Sequence, residues 1–138
     1  MEFPESLKYT NDHEWIRIIK EESLNEDVIA LIGITDYAQS ELGELVYVEV
    51  DSLGEKLNQG AVFGTVEAVK TTSDLFMPVS GEIIAFNPEL DEKQGDNPGI
   101  INEDPYDKGW IIKVRVTSPK EFDTLLDWKT YKSLVESD

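Results

Sequence analysis

The sequence predicts a mainly β fold of the sandwich or barrel type. Most of the first two-thirds of the chain consists of short apolar runs separated by glycine, proline or acidic turns, and this spacing is typical of sandwiches and barrels. The clearest runs are Trp15–Ile19, Val28–Ile32, Leu45–Val50 and Ala61–Val69. With 138 residues, 40% of them hydrophobic, the chain can bury a substantial core, so residues 1–138 are expected to form a single domain.

The run from Leu45 to Val50 shows the period of two that a β-strand requires. One face is predicted to carry Val46, Val48 and Val50, and the other Leu45, Tyr47 and Glu49. One of these faces is therefore expected to enter the core.

Short helical segments interrupt and follow these strands. A helix is predicted between Thr35 and Gly43, because Thr35 can cap its first turn and Gly43 can adopt the left-handed conformation that ends it. Asn87–Gly109 is rich in proline, glycine and acidic residues and is predicted to form a long irregular loop, with a helical turn near Gly99–Asn102. Trp110–Val116 is predicted to be a further strand.

The C-terminal residues, about 119–136, are predicted to form a helical tail. Ser118 is a capping hydroxyl, Pro119 suits the first helical position, and Glu121 is placed to bond back to the helix start. Apolar residues then recur on one face, first Phe122, Leu125 and Leu126, and later Tyr131, Leu134 and Val135. The tail is therefore expected to pack on the sheets.

Composition excludes several classes of function. The formal net charge of -17 disfavours binding to nucleic acids or anionic membranes, and we expect this acidity to serve solubility or to steer docking onto partners with basic faces. The chain contains no cysteine, which excludes disulfides and thiol catalysis and leaves any redox sulfur to a cofactor. No run approaches the about 18 apolar residues that a membrane span requires, and the N-terminus lacks a targeting pattern, so a cytoplasmic location is expected.

The segment from about residue 60 to 83 carries the strongest functional signal, because a lone lysine separates two runs with alternating apolar residues. Lys70 is therefore predicted to lie at the tip of a β-hairpin. A tip exposes its side chain while the flanking strands stay rigid, so that an enzyme can modify Lys70 or receive it in an active site. Most exposed lysines only aid solubility, however, and these physical arguments alone do not single out Lys70.

The sequence motifs around Lys70 distinguish it from other exposed lysines. Gly64-Thr65-Val66-Glu67-Ala68-Val69-Lys70, followed by Ser73-Asp74 and Pro78-Val79-Ser80-Gly81-Glu82, resembles the lipoylation hairpin of glycine cleavage H proteins. Further segments resemble other signatures of that family in the same order, namely 12–15, 33–39 and 102–110. The resemblance covers nearly the whole chain.

The resemblance implies a fold and a function. The implied fold is a lipoyl/biotinyl-carrier-like barrel-sandwich hybrid of two antiparallel sheets, with a short internal helix and C-terminal helices. Lys70 is implied to carry lipoate through an amide bond, in a protein that is a carrier and not an enzyme. In such carriers the arm accepts the aminomethyl group of glycine at a PLP-dependent decarboxylase (P protein) and passes it to a tetrahydrofolate-dependent aminomethyltransferase (T protein), after which dihydrolipoamide dehydrogenase (L protein) reoxidises it. These enzymes and a lipoyl ligase or transferase are the implied partners, and a monomer is expected.

Two related carrier families fit less well. Biotin carriers typically place the lysine between methionines, whereas Val69 and Thr71 flank it here. Lipoyl domains of 2-oxoacid dehydrogenases commonly have Asp-Lys-Ala at the tip, and they lack the early helix and the C-terminal tail. Three departures from the H-protein pattern are mild, namely Asn11 in place of proline, Ala68 in place of serine and Met77 in place of a small residue. Of these, Met77 is a candidate for altering how the hairpin tip is presented to a lipoyl ligase.

Four other polar residues are candidates for roles around the arm. Glu14, which lies beside an aromatic residue in the N-terminal motif, is a candidate partner for the cationic amine of the loaded arm. Glu67 and Asp74 flank the tip and are open to two interpretations, as recognition points for the lipoyl ligase or as charges that keep the hairpin solvated. His13, the only histidine, is expected to be structural, because no nucleophile or metal partner accompanies it.

The acidic residues of the 87–109 loop do not match a metal site. They are Asp91, Glu92, Asp96, Glu103 and Asp104. Their spacing lacks the alternation, the fixed glycine and the terminal glutamate of a calcium-binding loop. No metal ligand is predicted.

Three alternatives to a glycine cleavage carrier stay open at this point. A lipoyl relay protein, which donates lipoate to 2-oxoacid dehydrogenase complexes, would carry the same hairpin around Lys70, so the sequence does not separate it from the leading interpretation. An independent enzyme is disfavoured, because the sequence offers no constellation of nucleophile, base and metal ligands. A plain interaction module would work without lipoate.

Overall fold

The structure is a computed structural model, and it describes residues 1–22 and 27–137. Within this part of the chain, nine strands form two antiparallel sheets. The larger sheet has the strand order β1 (Lys8–Tyr9), β2 (Glu14–Glu22), β3 (Asp27–Ile34), β9 (Ile112–Val116), β8 (Gly81–Phe86) and β5 (Lys56–Leu57). The smaller sheet has the order β4 (Leu45–Glu49), β6 (Val62–Ala68) and β7 (Thr72–Phe76). The prediction of two antiparallel sheets is confirmed, in the form of a sandwich that does not close into a barrel within the described residues.

Both predicted internal helical segments are present. The helix α1 (Asp36–Leu42) begins after Thr35, whose side-chain hydroxyl accepts a hydrogen bond from the amide of Ala38 at 3.2 Å. It ends at Gly43, which has a φ of 80° and so occupies the region that glycine tolerates best. A single helical turn, α2 (Ile100–Glu103), lies where the 87–109 loop was predicted to contain one.

The predicted C-terminal tail is broken into two helices. A 3₁₀ helix covers Pro119–Thr124, and α3 covers Trp128–Glu136. Between them the chain is extended, because the backbone of Leu126 exchanges two hydrogen bonds with Tyr9 of β1, at 2.8 and 2.9 Å. Pairing with a strand requires extended backbone, so one continuous helix from 119 to 136 is not possible here.

The predicted cap of that tail is also wrong. The side chain of Ser118 makes no capping hydrogen bond. The carboxylate of Glu121 instead accepts hydrogen bonds from the backbone amide and the hydroxyl of Ser80, at 2.6 and 3.0 Å. Glu121 therefore anchors the turn before β8 and does not close its own helix.

A β-bulge changes the predicted alternation in β4. The pairing of β4 with β6 shifts register between Leu45 and Tyr47, so that one extra residue is accommodated there. Leu45 and Val48 are buried, whereas 45% of Val46 is exposed. A bulge reverses the phase of side-chain alternation, and for this reason Val46 does not share a buried face with Val48.

The core lies between the two sheets. Its buried members come from both, for example Ile16, Ile32 and Ile83 from the larger sheet and Val66 and Leu75 from the smaller one. A second cluster is mainly aromatic and consists of Leu7, Tyr9, Trp15, Tyr106 and Tyr131. This second cluster joins the N-terminal residues, β2 and α3 into one packed unit.

Candidate functional site

The structure places Lys70 at the tip of a hairpin, as the sequence predicts. Strands β6 and β7 pair with Thr65 opposite Asp74 and Glu67 opposite Thr72. The amide of Ala68 donates to the carbonyl of Thr71 at 2.7 Å, and this bond leaves Val69 and Lys70 as the two exposed residues of the tip. Its strands are Val62–Ala68 and Thr72–Phe76, and backbone hydrogen bonds of Met77 with Gly60 and Ala61 extend the pairing at the base. The predicted segment, about 60–83, also includes the first residues of β8, which belongs to the other sheet.

The tip backbone receives support from outside the hairpin. The amide of Val69 donates a hydrogen bond of 3.2 Å to the carbonyl of Glu44, which lies in the turn between α1 and β4. The strand β4 itself pairs with β6 along the hairpin. Lys70 is therefore displayed by a three-stranded sheet and not by an isolated hairpin, which would be marginally stable in water.

Glu67 and Asp74 are both exposed and lie on one outward face of the hairpin. The register implies this placement, because Glu67 is opposite Thr72, and Asp74 follows Thr72 by two positions along the same strand. This face is the opposite one to the buried side chains of Val66 and Leu75. The two carboxylates are thus presented to an approaching protein on the same side of the hairpin.

Glu14 is the buried carboxyl group of the site, with only 2% of its surface exposed. The hydroxyl of Thr10 donates to Glu14 Oε1 at 2.8 Å, and the backbone amide of Phe76, the last residue of β7, donates to Oε2 at 3.4 Å. Burial raises the pKa of Glu14 to about 8; these two hydrogen bonds act against the rise, and the charge of Asp12 adds to it. Near neutral pH, Glu14 is therefore mostly protonated.

Glu14 lines a groove of about 190 Å³ beside the hairpin. Met77, Pro78, Leu125 and Leu126 contribute apolar side chains to its lining. The groove thus combines apolar side chains with two carboxyl groups, the buried Glu14 and the exposed Asp12, and this combination suits a ligand that has an apolar chain and a cationic end.

Met77 is not at the tip. Its side chain is 2% exposed, and its backbone pairs with Ala61 and Gly60 at the base of the hairpin. The position of Met77 therefore does not support the expectation that this residue alters how Lys70 is presented to a ligase. The departure from a small residue affects the core and the wall of the groove instead.

His13 is held in a packed network. Its Nδ1 lies 2.9 Å from the hydroxyl of Tyr131, which lies 2.7 Å from the hydroxyl of Thr35. The ring also packs on Tyr37, with a centroid separation of 4.8 Å. These contacts connect α1 and α3 through His13, in keeping with the structural role expected for it.

Acidic residues of the 87–109 loop are engaged locally. The carboxylate of Asp91 accepts hydrogen bonds from the amide of Lys93 and the side chain of Gln94, at 2.9 and 3.1 Å, and these bonds lower its pKa. Among residues 1–22 and 27–137, no group of three or more histidine, cysteine or acidic side chains is arranged to hold a metal ion.

Sequence reasoning missed the residues that support the site from a distance. Thr10 bonds to Glu14, and Asn102 of α2 bonds to the turn that contains Glu44. A threonine four residues before a glutamate is a weak signal, and Asn102 is 57 residues from its partner Leu45. Only the folded chain brings these groups together.

Comparisons with known proteins agree with these observations. The sequence model of the family described as Glycine cleavage H-protein matches residues 7–138. The glycine cleavage system H protein of Bacteroides fragilis is 48% identical over 137 residues, which cover 99% of this chain and 100% of the relative. That of Pelodictyon phaeoclathratiforme is 49% identical over 134 residues, which cover 97% and 98% of the two chains.

A solved structure also matches. The crystal structure of a glycine cleavage system H protein from Mycobacterium marinum has a TM-score of 0.79 and 37% sequence identity to this chain, and the match covers 94% of this chain and 96% of that one. Sequence and fold therefore agree over nearly the full length. The chain belongs to the glycine cleavage H-protein family.

Proposed function

We propose that Lys70 is the residue to which lipoate is attached, in a non-enzymatic lipoyl carrier of the glycine cleavage system. Proteins of this family carry lipoate covalently on a lysine, and they shuttle between the P, T and L proteins. The observation that carries the proposal for Lys70 is its exposed position at the tip of a hairpin whose two strands are paired and packed. A lipoyl relay role is not favoured, because family and relatives alike are named for glycine cleavage.

The chain's own residues provide the lysine to which lipoate is attached and the rigid sheet that presents it. Acylation of Lys70 converts an ammonium group into a neutral amide. Lipoate attached to Lys70 would supply a redox-active disulfide as the acceptor for the aminomethyl group of glycine, and the cysteine-free chain has no such sulfur of its own. The rigid sheet beneath the tip presents the modified side chain without unfolding, so that enzymes with differently shaped active sites can receive it.

Mass spectrometry tests the proposal for Lys70. Wild-type protein, Lys70→Arg and the matched control Lys56→Arg are incubated with a lipoate ligase, lipoate and ATP. Lys56 is also exposed, but it lies on the two-residue strand β5 and not on a tip. We expect a lipoyl mass increment on the Lys70 peptide of wild type and Lys56→Arg and none in Lys70→Arg. Lipoylation that persists in Lys70→Arg would contradict the assignment.

We also propose that Glu14 receives the cationic amine that the loaded arm carries. Three features support this role: the carboxyl is buried, it lies in a groove with apolar walls, and it contacts the hairpin at Phe76. A cation that enters the groove favours the ionised form of Glu14, and the desolvated pair attracts more strongly than it would in water.

Glu14→Ala tests this role in the loaded protein. We expect loss of the amine from the carrier to accelerate about tenfold, which corresponds to about 1.4 kcal/mol of docking free energy. The measurement is formaldehyde release from the isolated loaded carrier, with Glu5→Ala, an exposed acid elsewhere, as the control. An unchanged release rate in Glu14→Ala would remove Glu14 from the proposed mechanism.

We propose that Glu67 and Asp74 contribute to recognition by the lipoyl ligase. They share the outward face of the hairpin that ends in Lys70, which supports a common role. Glu67→Gln and Asp74→Asn keep the shapes of the side chains and remove the charges. We expect each to lower ligase kcat/KM for Lys70 several-fold; full activity of both would favour the alternative, that these charges only keep the hairpin solvated.

The chain has no helix, within the described residues, that is long and apolar enough to cross a membrane. We propose a cytoplasmic location on a separate ground. The relatives compared above are bacterial H proteins, and a shuttling carrier must share a compartment with its partner enzymes. Cell fractionation tests this, with co-fractionation of the carrier and the T protein as the expected result.

A further inference from the structure

The conformation of the lipoyl hairpin tip is not determined by its own two residues. Among the described residues other than glycine, positive φ angles occur at His13 and Asp96 only, so Val69 and Lys70 do not form the type I′ turn that matches the twist of paired strands. The type II′ turn, which also matches that twist, needs a positive φ at its first central residue and is excluded in the same way, whereas turns of types I and II tend to splay the strands that they connect. The tip therefore needs support from outside the hairpin.

That support comes from the turn between α1 and β4. The amide of Val69, the residue before Lys70, donates to the carbonyl of Glu44 at 3.2 Å. The last hydrogen bond within the hairpin, from Ala68 to Thr71, lies on the other side of the tip from this contact. The position of the Glu44 carbonyl therefore determines where the tip backbone is held.

Asn102 fixes this turn on both sides of Glu44. Its Oδ1 accepts a hydrogen bond from the amide of Leu45 at 3.0 Å, and its Nδ2 donates to the carbonyl of Gly43 at 2.8 Å. A further bond of 2.9 Å runs from Nδ2 to Oε1 of Gln39, in the middle of α1. We call these three contacts the Asn102 bridge.

The Asn102 bridge is built on a fixed base. Asn102 lies in α2, whose neighbouring residue Ile101 is completely buried in the main core. All the donors and the acceptor of its amide side chain are used, and a fully bonded amide has one preferred orientation. The bridge therefore holds the α1–β4 turn in a fixed position relative to the core, and the turn in the same way holds the backbone of the tip.

We propose that Asn102 is a positioning residue for Lys70, which holds the α1–β4 turn against the hairpin tip so that the lysine is presented in one geometry to the enzyme that modifies it. The inference rests on the proposed attachment of lipoate at Lys70. The hydrogen bonds of the Asn102 side chain go to Gln39, Gly43 and Leu45 and not to Lys70, so it acts through the backbone of the turn.

A loss of the bridge changes the population of the presented geometry. If only a tenth of the molecules hold the tip in that geometry, the apparent affinity of a ligase that selects it falls about tenfold. The chemical step is unaffected once the tip is bound in the correct geometry. The expected signature is therefore a raised KM for the carrier with little change in kcat.

The experiment compares unlipoylated wild type, Asn102→Ala and Asn87→Ala. Asn87 is a matched control from the same loop, because its amide makes the same pattern of contacts: Nδ2 donates to the carbonyls of Lys108 and Trp110, and Oδ1 accepts from the amide of Glu89. Two measurements are made on each protein, hydrogen exchange of the Val69 and Ala68 amides by NMR and steady-state lipoylation of Lys70 by a lipoate ligase.

We expect Asn102→Ala to exchange its Val69 amide about tenfold faster than wild type and to raise the ligase KM by a similar factor, while the Ala68 amide, which bonds within the hairpin, changes less. Asn87→Ala should leave both unchanged. Equal effects in the two variants would show that general loosening of the loop is responsible and would overturn the inference, as would wild-type values in Asn102→Ala.

A second variant covers the case in which Asn102→Ala does not fold. Asn102→Asp keeps the shape and the acceptor for Leu45 but lacks the two donors, so it should also speed exchange at Val69. Wild-type exchange in this variant would overturn the bridge. If wild-type protein is not lipoylated at Lys70 at all, the proposed function fails, whereas the exchange measurements still test the bridge by themselves.

Discussion

Replacing Glu14 by glutamine measures how much the ionisation of this buried carboxyl lowers the free energy of unfolding as the pH rises. The folded protein favours the protonated form of Glu14, because burial raises its pKa from the ordinary 4.5 to about 8. Between these two values the folded state binds more protons than the unfolded state. The stability that Glu14 contributes is therefore complete below pH 4.5 and is lost as the pH rises through about 8.

The magnitude follows from the same values. One pKa unit corresponds to about 1.4 kcal/mol, so wild type loses about 3 kcal/mol by pH 7 and about 5 kcal/mol above pH 8, relative to its stability below pH 4.5. Glutamine does not titrate. We therefore expect the free energy of unfolding of Glu14→Gln, relative to that of wild type, to rise by about 3–4 kcal/mol between pH 5 and pH 8.

The assay is urea denaturation of both unlipoylated proteins at each pH, followed by tryptophan fluorescence. Groups whose titration is the same in the two proteins cancel in the difference. The slope of the difference against pH is the quantity of interest, since a constant offset reports only the fit of the amide against Thr10 and Phe76. Parallel stability curves from pH 5 to pH 8 would falsify the reasoning and show that Glu14 is ionised in the folded protein.

Three further substitutions test the packing that positions the site, each by urea denaturation at constant pH. Gly33→Ala should cost about 2–3 kcal/mol, because a Cβ at this position would lie 2.7 Å from the buried ring of Trp15; an unchanged stability would mean that the ring can move. Thr35→Ala should cost about 2 kcal/mol through the lost cap on Ala38 and a broken buried hydroxyl pair, with Thr35→Ser as the conservative control that retains most of it. Leu75→Ala should cost about 3 kcal/mol, since this side chain is buried in the core beneath the hairpin, and a loss below 1 kcal/mol would contradict its assignment to that core.

The parts of the fold that were predicted from sequence depend on local contacts. The helix α1 is an example, because Thr35 and Gly43 act on the turns next to them. Lys70 is another, since runs with alternating apolar residues on either side of a lone lysine predict a tip without any knowledge of the remaining chain. Assigning lipoate to that tip required the family resemblance, because nothing physical separates Lys70 from other exposed lysines.

The parts that were not predicted depend on distant partners. The C-terminal tail is broken because the backbone of Leu126 pairs with that of Tyr9. The side chain of Glu121 accepts a hydrogen bond from Ser80 and does not cap its own helix. The exposure of Val46 follows from a bulge whose cause lies in the pairing with another strand. Each of these is a competition between a local preference and a longer-range hydrogen bond, and the longer-range bond is the more stable choice here.

The pairing of Tyr9 with Leu126 also bears on the order in which the protein is completed during synthesis. The sheet that displays Lys70 draws its three strands from residues 45–76, so its contacts are available well before translation ends. The groove beside Glu14 requires Leu125 and Leu126, which emerge from the ribosome only at the end of the chain. Contacts that are near in sequence form earlier than those that are distant. With the functions proposed above for Lys70 and the groove, a nascent chain should become a substrate for the ligase before the groove is complete. A chain that ends before Leu125 would then be lipoylated without being a competent carrier.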